Sequence, residues 1–383
     1  MAHDRGMTHS TWRRLFGLGL GLAVARLFAP WWCGREADAW FRGDPAVVTN
    51  LSEEMIAFEA NDDRARSVPH GDRFAGAWAL VTHQMIALGL AQVCLAEPAR
   101  KDAYAPVVTR AANKSMGPEM RRFGTQAWGY DALDRLGTSE GHAYLSYPAL
   151  AVGMARRVDP AFPAAAARQH DALIAAYERR LLASPTALIE TYPGEAFPTD
   201  VAAVAAAIAV HGQATGVDHR RVLAHWEANV RRVQIDKSGF VHQRMHLDGT
   251  PVDAPRGSGT AFAAYYAGFV SPALARTLTD AVFRHRGTFG GFEAIDEYAD
   301  ARFTGGDVDS GPVIFGVSVA ATGLALGPAR AHGMRDEFRG LYRTTALFGM
   351  PVGAFATRRF ACGGPIGNAL LLAMLTSGPE LAR

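Results

Sequence analysis

Apolar and polar positions in this chain are grouped in long blocks rather than alternating from residue to residue. Six blocks consist almost entirely of small and apolar residues, and the blocks between them place charged residues on one helical face. A helix that is apolar all round is buried, whereas a helix with a charged face meets solvent. The pattern therefore predicts an inner and an outer set of helices. The inner helices are predicted to begin near Gly76, His142, Asp200, Gly259, Ser310 and Gly364.

The starts of the inner blocks recur roughly every 50 to 65 residues, and each block follows a polar loop that is rich in glycine. Such a repeat indicates one helix pair per unit. We therefore predict an all-α fold, an (α/α)6 toroid formed as a single domain by residues 48–383. The outer helices are predicted at residues 47–61, 162–183, 218–233, 272–286 and 332–347.

Two segments depart from the helical pattern, and both are expected at the mouth of the toroid. Residues 240–250 predict a small hairpin with a turn at Asp248-Gly249. Residues 114–140 combine glycine, proline and aromatic residues without helical spacing. A loop of that length inside a compact domain is usually a lid or a wall of a functional site.

Residues 1–35 form a segment of different character. Arg13 and Arg14 precede an apolar stretch at 15–25, and Ala23-Val24-Ala25 resembles a cleavage site for a signal peptide. The longer run 15–33, interrupted by Arg26, is just long enough to span a bilayer. We predict a signal or membrane-anchor segment that places the rest of the chain outside the cytoplasm, in the periplasm, with membrane contact through this segment alone. The alternative is an amphipathic helix packed on the domain.

Charge and motifs narrow the function classes. The 383 residues include 39 basic and 37 acidic ones, without long runs of either sign, so nucleic acid is not an expected partner. Cys33, Cys94 and Cys362 lack the spacing of a zinc site, and no nucleotide-binding, zinc-protease or serine-hydrolase motif is present. We therefore predict no metal and no cofactor, and a small-molecule substrate as the partner. A homo-oligomer stays open.

The loops before the inner helices hold the candidate chemistry. Parallel inner helices would bring their N-terminal ends, which attract negatively charged groups, to one mouth of the ring. Clustered carboxyl groups can divide the roles of acid and base, and we assign these roles to Asp200 and Glu195, with His142 assisting. Helix capping is the simpler explanation for Asp200 and Asp309 taken singly. The residues expected to bind substrate are Tyr192, Asp309, Asp307, Tyr144, Trp128 and Phe197.

Three segments, 141–147, 190–200 and 306–311, resemble the linalool dehydratase-isomerase family, exported bacterial enzymes with an (α/α)6 barrel. The resemblance implies cofactor-independent hydration, dehydration or isomerisation of a terpenoid-like or other small hydroxylated substrate. It also implies that His142 is the active-site histidine. Two cysteines of the family correspond to Thr191 and Asp200 in this chain, so Thr191 joins the expected substrate-binding residues and Asp200 becomes the replacement acid or base.

Two other functions stay open at this point. Toroids of this kind commonly serve carbohydrate-active enzymes, so a glycoside hydrolase, a polysaccharide lyase or a uronyl epimerase is the first alternative. The second is an extracytoplasmic binding protein without catalysis, which the loss of both family cysteines would explain.

Overall fold

The computed structural model describes residues 9–61, 73–138, 141–307, 310–353 and 358–382. Within these ranges helices dominate. In chain order the helices are α1 (His9–Gly34), α2 (Ala37–Arg42), α3 (Pro45–Ala60), α4 (Arg73–Ala96), α5 (Lys101–Ser115), α6 (Arg122–Trp128), α7 (Ser146–Val158), α8 (Ala164–Ala183), α9 (Pro198–Thr215), α10 (Arg220–Asn229), α11 (Gly257–Ala267), α12 (Pro272–Arg284), α13 (Val319–Leu324), α14 (Leu326–Ala331), α15 (Arg335–Gly349) and α16 (Gly364–Thr376).

The inner helices close into a ring. Helix α4 contacts α7, and the contacts continue through α9, α11 and α13 to α16, which packs against α4 again. Helices α3, α5, α8, α10, α12 and α15 lie outside this ring, and each precedes one inner element in the chain. The prediction of an (α/α)6 toroid is confirmed. Outer helix α5 is the one that the sequence blocks did not indicate.

Small residues allow the inner helices to approach closely. A Cβ atom on Gly89 of α4 would lie 2.6 Å from Leu372 Cγ of α16, and α9 presents a buried run of alanine and valine. Side chains near the start of α4, α7, α9 and α11, namely Trp78, Tyr147, Asp200 and Ser258, line one common pocket. The inner helices therefore run parallel, and their N-terminal ends meet at one mouth of the ring.

The fifth inner helix begins later than predicted. Residues 310–318 do not start a helix at Ser310; they include strands β3 (Val313–Ile314) and β4 (Val317–Ser318), and the helix starts at Val319. Phe315 and Gly316 between these strands both have positive φ, as a tight hairpin turn requires. The β-branched residues on either side favour strands. Strands β1 (Arg286–Phe289) and β2 (Phe292–Asp296) complete an antiparallel sheet of order β1-β2-β4-β3.

The predicted hairpin at 240–250 is present as a turn with isolated bridges rather than as strands. The backbone N–H of His246 donates to the Thr250 carbonyl at 2.9 Å, and Met245 bridges both Pro251 and Ala196. The predicted loop 114–140 contains helix α6 and a short helical turn, Ala132–Thr138, in its described part. Strands β5 (Pro351–Val352) and β6 (Arg359–Phe360) pair antiparallel before α16.

Two apolar helices have different surroundings. Helix α4 holds the 21-residue segment Gly76–Ala96, which is long and apolar enough to cross a membrane, but 89% of its most apolar window is buried inside the ring. Helix α1 contacts α15 near its own end, where a Cβ atom on Gly34 would lie 2.8 Å from Arg343 Nε. Residues 1–8 of the predicted leader lie outside the described part of the chain.

Candidate active site

A pocket of about 100 Å3 lies at the mouth where the N-terminal ends of the inner helices meet, and we call it the acid pocket. Its polar side chains are Thr199, Asp200, Gln243 and Ser258, and Asp200 carries the one carboxyl group among the described residues that line it. The remaining wall is largely aromatic. The aromatic side chains are those of Trp78, Tyr147, Tyr192, Phe197 and Phe262.

Asp200 lies in the first turn of α9, but its carboxylate does not cap that helix. It instead accepts hydrogen bonds from two other parts of the fold. The Tyr147 hydroxyl at the start of α7 donates to Asp200 Oδ1, and Thr191 Oγ1 donates to Asp200 Oδ2 at 2.6 Å. Pro198 at the first helical position sets the helix start and so the position of Asp200. The carboxylate is therefore fixed at the pocket wall by contacts that capping does not explain.

The loop before α9 is itself braced from behind. The indole N–H of Trp128 donates to the Thr191 carbonyl at 3.1 Å. The Trp128 ring stacks on the His142 ring with centroids 3.5 Å apart and planes 8° apart. A continuous path of contacts thus joins His142 to Asp200 through Trp128 and Thr191. This path places Thr191 and Trp128 in supporting positions, because neither is among the residues that line the acid pocket.

His142 is buried and does not line the acid pocket. Arg180 Nη1 lies 3.1 Å from His142 Nδ1, and Tyr130 Oη lies 2.7 Å from His142 Nε2. Since a guanidinium only donates, Nδ1 accepts and Nε2 carries the proton. Burial, assisted by the positive charge of Arg180, lowers the pKa of His142 to about 3. The imidazole is therefore neutral at ordinary pH.

Because His142 and His170 are buried as neutral side chains, we expect the protein to lose stability in mild acid. Burial lowers the pKa of His170 to about 3 as well, so the unfolded chain binds protons at these sites more readily than the folded one. These two histidines leave the free energy of unfolding unaffected well above pH 6.5. They lower it as the pH drops from 6.5 towards 3, by up to about 1.4 kcal/mol per pH unit for each histidine. Burial raises the pKa of Glu297, which acts in the opposite direction nearer its own pKa.

We therefore expect urea denaturation to give a lower unfolding free energy at pH 5 than at pH 6.5. His170→Gln should reduce this difference, and His246→Gln, at an exposed position, should leave it unchanged. An unfolding free energy that does not vary across this pH range would contradict the prediction.

Glu195 is engaged in an ion-pair cluster. Arg244 Nη1 donates to Glu195 Oε1 at 2.7 Å, and Arg244 Nε lies 3.0 Å from Asp253 Oδ2. Glu195 is not among the described residues that line the acid pocket. The structure therefore places the two carboxyl groups assigned as acid and base in different surroundings, Asp200 at the pocket wall and Glu195 in a charged cluster.

The other expected substrate-binding residues differ in their surroundings. Tyr192 and Phe197 line the acid pocket, and their rings pack edge to face with centroids 6.3 Å apart. Tyr144 lies in the core against Phe123, and burial raises its pKa strongly. Asp307 forms an ion pair with Arg256. Asp309 lies outside the described residues.

Two features near the pocket escape the sequence reasoning. Trp78 lines the pocket from the first turns of α4, where the sequence shows only two aromatic residues among small ones, a pattern equally typical of a buried helix. Glu297 is buried directly behind the pocket, and the Ser258 hydroxyl donates to its Oε1 at 2.7 Å. Burial raises the pKa of Glu297. No spacing motif marks this residue, because it follows a short strand that the helical pattern hides.

No cluster of three or more His, Cys, Asp or Glu side chains suited to a metal ion occurs in the described part of the chain. The three cysteines are free thiols, with Cys94 buried in the core and Cys362 exposed. The prediction of no metal and no cofactor stays a prediction.

Comparisons with known proteins support the fold. No family model matches this chain, and no curated protein matches it. Among solved structures, the chain is similar to the unsaturated glucuronyl hydrolase from Bacillus sp. GL1, which is responsible for the degradation of glycosaminoglycan. The identity is 11% and the TM-score 0.50, and the alignment covers 86% of this chain and 95% of that one. At this identity the similarity establishes the toroid fold.

A second solved structure, a UGL variant with the saccharide dGlcA-Glc-Rha-Glc, has 11% identity and a TM-score of 0.45. That alignment covers 71% of this chain and 84% of the other.

Proposed function

We propose that this chain is an enzyme that adds water to, or removes it from, a small hydroxylated substrate by general acid–base catalysis, with Asp200 as the acting group. The observation that carries the proposal is the carboxylate of Asp200 at the wall of an aromatic pocket, held there by the hydroxyl groups of Tyr147 and Thr191. A carboxylate with two fixed hydrogen bonds keeps one orientation towards the pocket. Fixed geometry of this kind is what proton transfer to a bound substrate requires.

The neighbouring side chains have distinct roles in this proposal. Asp200 takes a proton from water or returns one to the substrate, and Tyr147 lies beside it at the pocket wall. His142 is a positioning residue, because it is neutral and buried and contacts the loop that carries Asp200 through Trp128 and Thr191. Glu195, bound to Arg244, stabilises the outer part of the same loop.

A saccharide is the first substrate class to test. Aromatic rings that surround a few polar groups are a common way to bind a sugar ring, and the acid pocket combines five aromatic residues with Gln243, Ser258 and Thr199. The structurally similar hydrolase is responsible for the degradation of glycosaminoglycan. An unsaturated uronyl sugar is therefore one of the candidate substrates. Hydration of a carbon–carbon double bond in such a sugar needs proton delivery and an activated water molecule, which one carboxyl group can supply in turn.

A terpenoid-like alcohol is the second candidate, and the specific observation that favours it is the lining of the pocket. The exposed surface of the pocket belongs mainly to apolar atoms, including those of Val81, Phe262 and Leu324. Apolar walls suit a small branched alcohol as well as one face of a sugar. Asp200 and Thr191 would then replace the two thiols that the resemblance associates with this loop.

The proposal is tested by incubating the purified protein in D2O with unsaturated uronyl disaccharides and with linalool, and following both by NMR. We expect turnover of one class, seen either as deuterium on a carbon of a hydrated double bond or as an alkene formed by loss of water, and neither product without the protein. A control with Tyr144→Phe, which alters a core hydroxyl rather than the pocket, should retain the activity. Saturable binding without turnover by either class would contradict the proposal and favour the non-catalytic binding protein.

A further inference from the structure

We propose that a second, apolar cavity beside the acid pocket binds the aliphatic chain of an amphiphilic substrate whose hydroxylated head occupies the acid pocket. This inference rests on the proposed function and deepens it, because it names the substrate class as a head with a chain rather than a compact molecule.

The second cavity has a volume of about 450 Å3, and we call it the chain cavity. It lies between α4, α13, α15 and α16. Its wall is formed by side chains such as Phe348, Phe360, Ile366, Leu370 and Met374, and none of the described residues that line it is charged. The volume falls within the range of ligand pockets in proteins. A cavity of this polarity offers water few partners, so an apolar occupant is the one that it favours.

The two cavities share part of their walls. Trp78 and Leu324 line both the acid pocket and the chain cavity. The two cavities therefore meet at Trp78 and Leu324, and a molecule that extends past these two side chains would have its head against Asp200 and its chain in the apolar volume. Glycines widen this volume, because Gly367 has no atom within 4 Å of an added Cβ and Gly323 has only one, at 3.9 Å.

Helix α1, which packs against α15, carries an exposed apolar surface. Leu27, Phe28, Trp31 and Trp32 of α1 are exposed, and the Phe28 and Trp32 rings stack with centroids 5.9 Å apart. These residues lie within two turns of Gly34, which contacts Arg343 of α15, and Thr345 two residues later lines the chain cavity. Tryptophan is enriched where proteins meet the surface of a bilayer. A membrane is thus one source of the amphiphile, and a dispersed amphiphile is the other.

The test is a chain-length series of alkyl β-glucosides from butyl to decyl, each below its micellar concentration and measured by calorimetry. If the chain enters an apolar cavity, each added methylene should tighten binding by about fourfold until the cavity is full. Gly367→Leu places a side chain in the cavity and should abolish this dependence while the protein stays folded by circular dichroism. Gly137→Leu, which also adds a leucine where a Cβ meets no atom but at an exposed site, is the matched control.

The outcomes separate the two proposals. Chain-length dependence in both the unchanged protein and Asp200→Asn supports the chain cavity whatever the chemistry at Asp200. Equal affinity across the series, or a slope that Gly367→Leu leaves intact, overturns it even if Asp200 proves catalytic. To distinguish the sources, the same glucosides are offered in phosphatidylcholine vesicles to the full chain and to a Trp31→Ser/Trp32→Ser variant. A loss of uptake in that variant identifies the bilayer as the source, and equal uptake identifies the dispersed molecule.

Discussion

Asp200→Asn is expected to lower kcat by about 10²- to 10⁴-fold, the usual contribution of a positioned acid or base. Asparagine has nearly the same shape and can still accept a hydrogen bond from the Thr191 hydroxyl, which lies 2.6 Å from Asp200 Oδ2, so the fold should persist. An amide cannot take up and return a proton at neutral pH. The measurement is the steady-state rate with whichever substrate class shows turnover, together with the affinity for that substrate.

Substitutions at neighbouring residues show whether the loss of activity is specific to Asp200. Thr191→Val removes one of the hydrogen bonds to the Asp200 carboxylate and should lower kcat by about tenfold to a hundredfold, because hydrogen bonds to charged groups are among the stronger ones. Glu195→Gln should lower it by less than about tenfold, since this side chain is held by Arg244 away from the pocket wall. If Glu195→Gln loses as much activity as Asp200→Asn, the division of acid and base roles between these two residues is supported instead.

Gly89→Leu is expected to reduce the free energy of unfolding by about 3 kcal/mol, as overpacking of a tightly packed core does. A Cβ atom at this position would already lie 2.6 Å from Leu372 Cγ and 3.1 Å from the backbone nitrogen of Ala373. The backbone atom cannot move without displacing α16, which closes the ring against α4. Urea denaturation monitored by circular dichroism at 222 nm measures the change.

Gly367→Ala is the matched control for this prediction. It lies in α16 as well, but its added Cβ would meet no atom within 4 Å. Replacing a helical glycine by alanine should raise the free energy of unfolding by about 0.5 to 1 kcal/mol. Equal stabilities for Gly89→Leu and the unchanged protein would show that the contact between α4 and α16 is looser than described.

The ring was predictable from the sequence because its signal is long and periodic. Apolar blocks such as Gly76–Ala96 differ so clearly from the amphipathic blocks between them that inner and outer helices separate without any knowledge of contacts. The predicted start of the fifth inner helix was wrong because the apolar residues 313–317 suit a buried helix and a hairpin equally well by composition. The positive φ of Phe315 and Gly316 decides between them, and backbone angles are not visible in a pattern of apolar positions.

The acid pocket was predictable only in part. The position of Asp200, Tyr192 and Phe197 at the pocket wall follows from the sequence because they lie in a polar loop before an inner helix, and parallel inner helices bring such loops together. The surroundings of Glu195 and His142 were not predictable, because a charged or aromatic partner distant in the chain determines each of them. The chain cavity left no signal in the sequence, since apolar residues that line a cavity look the same as apolar residues that fill a core.

The wall shared by Trp78 and Leu324 has a consequence for how related sequences would diverge. A substitution at either residue changes the acid pocket and the chain cavity together, whereas a substitution at Gly367 alters the chain cavity alone. Selection for longer or shorter molecules could therefore act on α16 with the reacting end untouched. New preferences for the head, by contrast, would have to arise with a compensating change in how much tail is accepted.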